Sequence, residues 1–336
     1  MKPSVTFIQR RPHRTGNFSL EFIFEDLRRR MGDRCQSRVM IAKWFSRGFF
    51  PRLAVALQAR RERSAVNHVT GDINFAGLLL ARNSTVITLL DCGFLSIDKG
   101  LRRYLLKKFW LELPVLRASV VTTISSTMRN EIVSETGCDP SKVVVIPVAI
   151  PEEFTFKEKL FNSAHPRILQ VGTAPNKNLL RLVAALSGLP CHLVIVGIVS
   201  AEIRRLLSAH KISFEANDRL SRGEILRQYE DCDIVAFVST YEGFGMPIVE
   251  GNATGRVVVT SDMGAMAEVA GDAACLVNPT DVKSIRAGFD RVIQDETYRR
   301  QLIARGVENR LRFNGDEIAE KYLAIYRLVA AQSPYQ

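Results

Sequence analysis

The feature that most constrains this fold is an alternation of short β-branched runs with longer helical stretches. In the first half, helical stretches such as 19–31 and 100–113 separate the runs. Strands spaced by helices are typical of βαβ units, in which the strands are parallel. The pattern therefore predicts a doubly wound parallel sheet. The runs of strand length are 4–9, 38–42, 85–90, 118–124 and 143–147.

A second series of the same kind begins after residue 166, and residues 151–166 between the two series predict a linker because they mix charges with strand breakers. We predict an α/β protein with Rossmann-like doubly wound domains at 1–150 and 167–315. The carboxyl ends of their strands should face a common cleft. A C-terminal helix at 316–336 should pack back on the first domain. The second series of runs is 167–173, 191–197, 212–216, 233–239 and 257–260.

The positive charge of the chain lies in its first half. Residues 1–165 contain 26 Lys and Arg against 15 Asp and Glu, whereas residues 166–336 contain 20 of each, so the first half carries the whole net charge of +11. Basic clusters fall on predicted helices at 28–34, 59–63 and 101–110, the last interleaved with aromatic residues. Such a cluster is either a solvated helix face or a contact with an anionic partner. Among partners, a membrane surface fits the amphipathic pattern better than nucleic acid.

Other sequence features narrow the class of protein. No apolar run approaches the roughly 18 residues of a membrane-spanning helix. The N-terminal apolar stretch is short and charges follow it, so we expect no signal peptide and a cytoplasmic protein. The six cysteines are scattered without a Cys-x-x-Cys spacing. This indicates reduced thiols and no structural zinc site.

One loop, which follows the strand predicted at 233–239, is suited to a ligand with hydroxyls at both ends and phosphate between them. Glycines after Glu242 let the backbone approach a ligand, and Pro247 suits the first turn of a helix. The resulting helix N-terminus offers N–H groups and a positive dipole to an anion. Glu242 before the helix and Glu250 about one turn inside it can each accept hydrogen bonds from hydroxyls. A nucleotide sugar has this outline.

The same residues carry a family resemblance. The run YEGFGMPIVEG at 241–251, the stretch 261–281 and VGTAPNKN at 171–178 resemble the retaining glycosyltransferases of family 4, also called group 1, which have the GT-B fold. The second half matches almost throughout. In the first half, NHVTGDINF at 67–75 and TLLDCGFL at 88–95 are similar to bacterial members that build surface polysaccharides, such as the O-antigen of lipopolysaccharide.

The resemblance implies a hexosyltransferase, with mannosyltransferase as one candidate, that transfers a sugar from a nucleotide sugar to a glycan or lipid-linked acceptor. Glu242 is expected beside the donor sugar, Lys177 against the departing diphosphate and Glu250 on the ribose hydroxyls. Family members commonly have an arginine beside the lysine, where this chain has Asn176 and Thr173. No metal and no cofactor are expected, because no Asp-x-Asp pair is recognisable. The other expected donor contacts are Thr173, Gly243, Phe244, Gly245, Met246, Pro247 and, after the first strand, Gly16 and Asn17.

The first half departs from the family at one position. Many members have His-Asp where this chain has Leu90 and Asp91. We expect Asp91 to compensate as a catalytic residue, and His68 and Asp72 to lie on the acceptor or sugar side. The alternative for His68 is a plain hydrogen-bonded residue of a loop. Two other functions stay open: a sugar-nucleotide epimerase of the same fold, and a nucleotide-sugar-binding protein without turnover.

Overall fold

The computed structural model describes residues 2–12, 19–97 and 99–335, so the predicted donor contacts Gly16 and Asn17 lie outside the described residues. The chain forms two compact units. The first consists of the chain up to Ala149 together with the chain from Gly315 onward, and the second of the chain between them.

The first unit is built on a six-stranded parallel sheet with the order β2-β1-β3-β4-β5-β6. Its strands are β1 Ser4–Gln9, β2 Gln36–Ile41, β3 Val66–Val69, β4 Thr85–Leu89, β5 Val120–Thr123 and β6 Val143–Val145. Its helices up to this point are α1 Ser19–Met31, α2 Phe49–Arg61, α3 Phe94–Ile97, α4 Gly100–Leu106, α5 Leu113–Arg117 and α6 Ser126–Thr136. Residues 107–112, between α4 and α5, form a π-helix.

The second unit has the same architecture, with a parallel sheet in the order β12-β11-β10-β7-β8-β9. Strands β8 and β9 lie on one side of β7, and β10, β11 and β12 lie on the other, so the strand order reverses between β7 and β10. The strands are β7 Arg167–Val171, β8 His192–Val196, β9 Ser213–Asn217, β10 Ile234–Phe237, β11 Val257–Ser261 and β12 Cys275–Val277. The helices are α7 Leu179–Leu186, α8 Ala201–Ala209, α9 Arg222–Asp231, α10 Met246–Thr254, α11 Gly264–Ala270, α12 Val282–Gln294 and α13 Glu296–Asn309.

Hydrophobic patterning explains why these segments form a layered fold. All four residues of β10 are fully buried, as expected for a central strand with helices on both faces. Helix α7 buries Leu179, Leu182, Val183 and Leu186, which have the spacing of one helical face. Helices with this pattern cover the sheet and close its core.

The segment predicted as a linker packs on the second unit. Lys159 forms an ion pair with the buried carboxylate of Asp233, which also accepts the backbone N–H groups of Asn162 and Arg167. The ring of Phe154 packs edge-on against Tyr229, with 5.4 Å between centroids. These contacts fix residues 151–166 along the amino ends of the strands and beside α9.

The chain ends in the first unit with helix α14, Gly315–Gln332. Its buried stripe includes Ile318, Tyr322, Tyr326 and Val329, which complete the apolar cluster around β1 and α1. At its start, a Cβ on Gly315 would lie 2.3 Å from the guanidinium carbon of Arg30, so a side chain there would displace the end of Arg30. No helix of the described chain has the length and apolarity needed to cross a bilayer.

The two strands that the sequence did not predict are β3 and β12. In β3 the polar residues Asn67 and His68 are fully buried between β1 and β4.

The His68 ring is within 2.7 Å of the Tyr326 hydroxyl and 2.6 Å of the Thr88 hydroxyl. This placement corrects the expectation that His68 faces the acceptor or sugar: both ring nitrogens are engaged in the core. Burial lowers the pKa of His68 to about 3, so the ring is neutral.

Candidate active site

The loops that carry the predicted donor contacts meet at one place in the second unit. Strands β7 and β10 are paired neighbours, yet they are the strands at which the sheet changes its direction of growth. The loops that leave their carboxyl ends therefore border the crevice at this switch point, which is where doubly wound proteins bind ligands. Residues 172–178 follow β7, and residues 238–245 follow β10.

Lys177 and Glu242 face each other across this point. The Lys177 ammonium lies 2.6 Å from Oε1 of Glu242, and both side chains are mostly buried. The same ammonium lies 4.7 Å from the centroid of the Phe237 ring, at the end of β10. The structure thus brings together the two residues that the sequence placed at the diphosphate and at the donor sugar.

Gly172 explains how Lys177 is held. Its φ of +89° lies in the left-handed region, and a Cβ there would approach Cε of Lys177 to 2.9 Å. The lysine stem therefore runs directly over the glycine, in space that any side chain would fill. A residue other than glycine would have to move Lys177.

Asn176 occupies one of the two positions at which the family resemblance leads us to expect an arginine. Its amide donates to Oε1 of Glu242 at 3.1 Å and to the carbonyl of Tyr241 at 3.0 Å. Its own carbonyl accepts the N–H of Thr240 at 2.8 Å. Asn176 therefore connects the two loops and orients Glu242, and Lys177 is the one Lys or Arg of the loop at 172–178.

Asn178 is a functional-site residue that the sequence analysis did not single out. It is almost fully buried in the left-handed conformation, with φ of +60°. Its amide donates to the carbonyls of Val238 and Pro279 at 2.9 and 2.7 Å, so it joins the loops after β7, β10 and β12. The sequence does contain a signal for Asn178, because asparagine is among the residues that most often adopt the left-handed conformation in place of glycine.

The N-terminus of α10 opens onto the same crevice. Gly245 precedes the helix with φ of +122°, and a Cβ there would lie 2.9 Å from Cδ1 of Ile248. Pro247 occupies the first turn. The first N–H groups of a helix lack intrahelical partners and carry a partial positive charge. The predicted contacts from Gly243 to Pro247 thus belong to this turn; the ring of Phe244 itself packs inward on Phe313.

Glu250 lies on the first turns of α10 and is paired with a residue that the sequence did not reveal. The hydroxyl of Tyr229, a fully buried residue of α9, donates to Oε2 of Glu250 at 2.5 Å. Desolvation raises the pKa of Glu250 to about 7, although the Tyr229 hydrogen bond lowers it. The charges of Arg222 and Lys177 also lower this pKa, and that of Glu153 raises it, so Glu250 shares one electrostatic environment with Lys177.

Of the remaining predicted residues, Thr173 lies in the same loop as Lys177, and the others lie in the first unit. Thr173 is half-buried against Gly197, where a Cβ would lie 3.0 Å from its methyl group. In the first unit, the exposed Asp91 follows β4 and accepts the N–H of Gly93 at 2.9 Å. Asp72 follows β3 and forms an ion pair with Arg10. Leu90 packs beside Tyr322 and lines a small apolar cavity. The roles of Asp91, Asp72 and Thr173 stay predictions.

Comparison with known proteins gives the second unit a family likeness. Residues 151–309 match the family model described as glycosyl transferases group 1, a range that contains Lys177, Glu242 and Glu250. The serotype-specific mannosyltransferase WbdA of Escherichia coli is 27% identical over 223 residues, which are 59% of this chain and 27% of that protein. The MMP alpha-(1->4)-mannosyltransferase of Mycolicibacterium hassiacum is 26% identical over 228 residues, 62% of this chain and 54% of that protein. The chain thus spans about a quarter of the length of the first relative and about half of the second.

Solved structures extend the likeness to the whole fold. Anabaena HepE, crystallised with UDP and glucose, superposes with a TM-score of 0.75 at 15% identity, covering 96% of this chain and 99% of its own. WaaG, a glycosyltransferase of lipopolysaccharide biosynthesis, superposes with a TM-score of 0.70 at 14% identity, covering 96% of this chain and 99% of its own. At these identities the likeness concerns the fold. The predicted GT-B fold, with two Rossmann-like parallel sheets, is confirmed.

Proposed function

We propose that this chain is a retaining, metal-independent glycosyltransferase that moves a hexose from a nucleotide sugar to a glycan or lipid-linked glycan of a bacterial surface polysaccharide. The observation that carries the proposal is the meeting of Lys177 and Glu242 at the switch point of the second sheet, beside the first turn of α10. The mannosyltransferase names of the curated relatives make mannose the first sugar to test.

The positive groups at this point suit a departing diphosphate. An ammonium group has three donors, and Glu242 takes one of Lys177's, so two are left for phosphate oxygens. The N-terminus of α10 adds backbone N–H groups and its dipole. Because Gly172, Phe237 and Glu242 already hold the lysine, little reorganisation is needed when charge develops on the leaving group.

The two glutamates divide the rest of the donor between them. Glu242 is engaged through Oε1, which leaves Oε2 for a hydroxyl of the transferred sugar. Glu250 is engaged by Tyr229 through Oε2, which leaves Oε1 for the ribose hydroxyls. The donor thus lies with its sugar by Glu242, its diphosphate by Lys177 and its ribose by Glu250.

The chemical step follows from these positions. The acceptor hydroxyl attacks the anomeric carbon on the face from which the diphosphate departs, so configuration is retained. The new bond joins the anomeric carbon to the acceptor oxygen; the bond to phosphate breaks, and its electron pair leaves with the nucleoside diphosphate. The acceptor proton passes to the departing phosphate oxygen. Catalysis consists of positioning and electrostatic stabilisation, and a contribution of Asp91 stays a prediction.

The acceptor side belongs to the first unit, whose surplus of positive charge suits an anionic membrane surface. A lipid-linked acceptor at the inner membrane face would be held where the protein docks. We therefore propose a peripheral association with that face.

A ligand screen followed by turnover tests the proposed function. Thermal unfolding is measured with UDP, GDP and their hexose derivatives; a ligand at about 100 times its Kd adds roughly 2.7 kcal/mol to the free energy of unfolding. The best donor is then incubated with lipid-linked and glycan acceptors. We expect a nucleotide sugar to stabilise the protein and its sugar to be transferred or slowly hydrolysed. Binding without either reaction would indicate a binding protein, and an epimerised free nucleotide sugar would indicate an epimerase.

A further inference from the structure

A large apolar surface is exposed on the first unit. It is formed by residues 43–57, which lead into and include most of α2, and by residues 100–109 of the next long helical segment; we refer to it as the aromatic surface. The exposed fractions are 71% for Phe49, 79% for Phe50, 72% for Leu101 and 61% for Tyr104. Contiguous apolar patches of this kind on a folded protein mark interaction sites.

Helix α2 has more apolar residues than the core of its unit uses. Its inner face buries Val55, Ala56 and Ala59. A second stripe at four-residue spacing, Phe49, Leu53 and Leu57, faces solvent. Leu53 and Leu57 keep 40% and 39% of their surface exposed, and Phe49 keeps 71%, so the outward stripe leaves apolar area that an external partner could cover.

Arg52 joins the two segments into one surface. Its guanidinium stacks on the Trp110 ring, 4.3 Å from the centroid, so the second segment lies against α2. Desolvation by burial lowers the pKa of Arg52, and the charge of Arg102 lowers it further, so Arg102 lies nearby as well. On the other side, the Arg11 guanidinium lies 4.7 Å from the centroid of the Phe45 ring. Aromatic side chains and cations therefore alternate across the surface.

The charge of the surface selects the partner. Residues 36–61 contain six Lys and Arg and no Asp or Glu. The basic cluster at 28–34 differs, because Arg30 and Arg34 form ion pairs with Asp316 and Glu320. In the second segment of the aromatic surface, Lys107 and Lys108 form ion pairs with acidic side chains, so these two lysines add little to its net positive charge. A second copy of this chain would bring like charges together. Nucleic acid would leave the exposed leucines without a partner. An anionic lipid surface satisfies both the cations and the apolar side chains.

We propose that the aromatic surface docks on anionic lipid, with Phe49 and Phe50 entering the apolar edge of the bilayer while Lys43 and Arg47 contact headgroup phosphates. This names the part of the first unit that makes the proposed membrane contact and adds an apolar anchor to it. The proposal rests on the proposed function only for the reason why the protein would dock on a membrane. Lipid binding is measured without a donor, so the two proposals fail separately.

Vesicle sedimentation tests the anchor. The protein is mixed with phosphatidylcholine vesicles that do or do not contain phosphatidylglycerol, at low and at high salt. We expect binding only to the anionic vesicles. Part of this binding should persist at high salt, because insertion of apolar side chains is not screened by ions. Phe49→Ser/Phe50→Ser should weaken binding about tenfold and abolish the part that persists at high salt. Lys43→Gln/Arg47→Gln should weaken mainly the binding at low salt.

Matched variants in the second unit control for lost apolar area and lost charge. Leu160→Ser removes an apolar side chain that is 93% exposed. Arg204→Gln/Arg205→Gln removes two exposed cations from α8. Both should bind vesicles like the unaltered protein. Thermal unfolding with the best nucleotide verifies that each variant is folded.

A fluorescence measurement tests insertion while Phe49, Phe50, Lys43 and Arg47 are all retained. The chain has two tryptophans, so Trp110→Phe leaves Trp44 as the sole reporter, and Trp44 lies on the aromatic surface. Anionic vesicles should shift its emission to the blue, and brominated lipid should quench it. An unshifted Trp44 spectrum, equal binding by the Phe49→Ser/Phe50→Ser variant, or a change of oligomeric state in place of vesicle binding would overturn the proposal.

Discussion

The hydroxyl of Tyr229 and the carboxylate of Glu250 share a hydrogen bond of 2.5 Å that ties α9 to α10 at the candidate site. Tyr229 is fully buried, so its hydroxyl is shielded from solvent. It therefore fixes the rotamer of Glu250 and leaves one carboxylate oxygen for a ligand. It also stabilises the charged form of a group that burial would otherwise keep neutral.

The pH dependence of nucleotide binding should report this pair. With the pKa of Glu250 raised to about 7 by desolvation, the ionised form that accepts ribose hydroxyls becomes dominant only above neutrality. Nucleotide affinity should therefore rise as the pH increases through about 7, and Tyr229→Phe should move this rise to higher pH. Calorimetric titration with the best nucleoside diphosphate at several pH values measures it. A midpoint unchanged by Tyr229→Phe would contradict the assigned role.

Glu250→Gln provides the control, and it affects stability as well. Because the folded-state pKa lies above the ordinary value of 4.5, the free energy of unfolding of the ligand-free protein should decrease from pH 4.5 to about 7 and then level off. Glu250→Gln removes this slope and the pH dependence of nucleotide affinity together. Chemical denaturation at several pH values measures the slope.

Lys177→Ala should lower turnover by at least about a hundredfold, of order 3 kcal/mol in the transition state, because no second cation of the loop shares the diphosphate charge. Single-turnover rates with a saturating donor measure the effect. Lys283→Ala, which removes an exposed lysine of α12 in the same unit, should leave the rate unchanged. A Lys177→Ala enzyme with nearly normal turnover would show that the lysine serves only to hold Glu242.

Gly172→Ala should impair the site without touching a charged group. The added methyl group would lie 2.9 Å from Cε of Lys177, on a backbone with φ of +89°, so the lysine or the loop must move. We expect turnover to decrease about tenfold, with a destabilisation of about 1 kcal/mol. Gly188→Ala, on a backbone with φ of +71° and with nothing within 4 Å of the added carbon, is the matched control. Equal rates for the two variants would mean that the position of Lys177 is not critical.

Substitution of His68 should affect stability, whereas substitution of Asp91 should affect turnover. His68→Gln breaks the contacts of a buried ring with Tyr326 and Thr88, so it should destabilise the protein by about 2 kcal/mol while the folded fraction retains its turnover. Asp91→Asn should leave the melting temperature unchanged and lower turnover, because its side chain is exposed at the end of β4. Melting temperatures and turnover per folded molecule distinguish them. Full turnover in Asp91→Asn would remove Asp91 from the mechanism.

Local sequence patterns predicted the fold and part of the site, and the misses have physical causes. The ten predicted strands correspond to β-branched runs, and Lys177, Glu242 and Glu250 occupy loop and helix positions that glycine and proline marked in advance. Strand β3 was missed because Asn67 and His68 interrupt its four residues. Tyr229 left no local signal, because its role depends on a contact with a residue 21 positions later in the chain. Contacts between distant segments cannot be inferred from periodicity.

The return of the chain to the first unit through α14 affects how the protein is made. The second unit is contiguous and can fold as soon as it leaves the ribosome. The first unit lacks Tyr322, Tyr326 and Val329 of its own core until the last helix has been synthesised. The usual order, in which the amino-terminal part folds first, should therefore be inverted. During elongation, we expect the nascent first unit to expose the apolar face of α1 and β1, and to depend on chaperones until translation reaches α14.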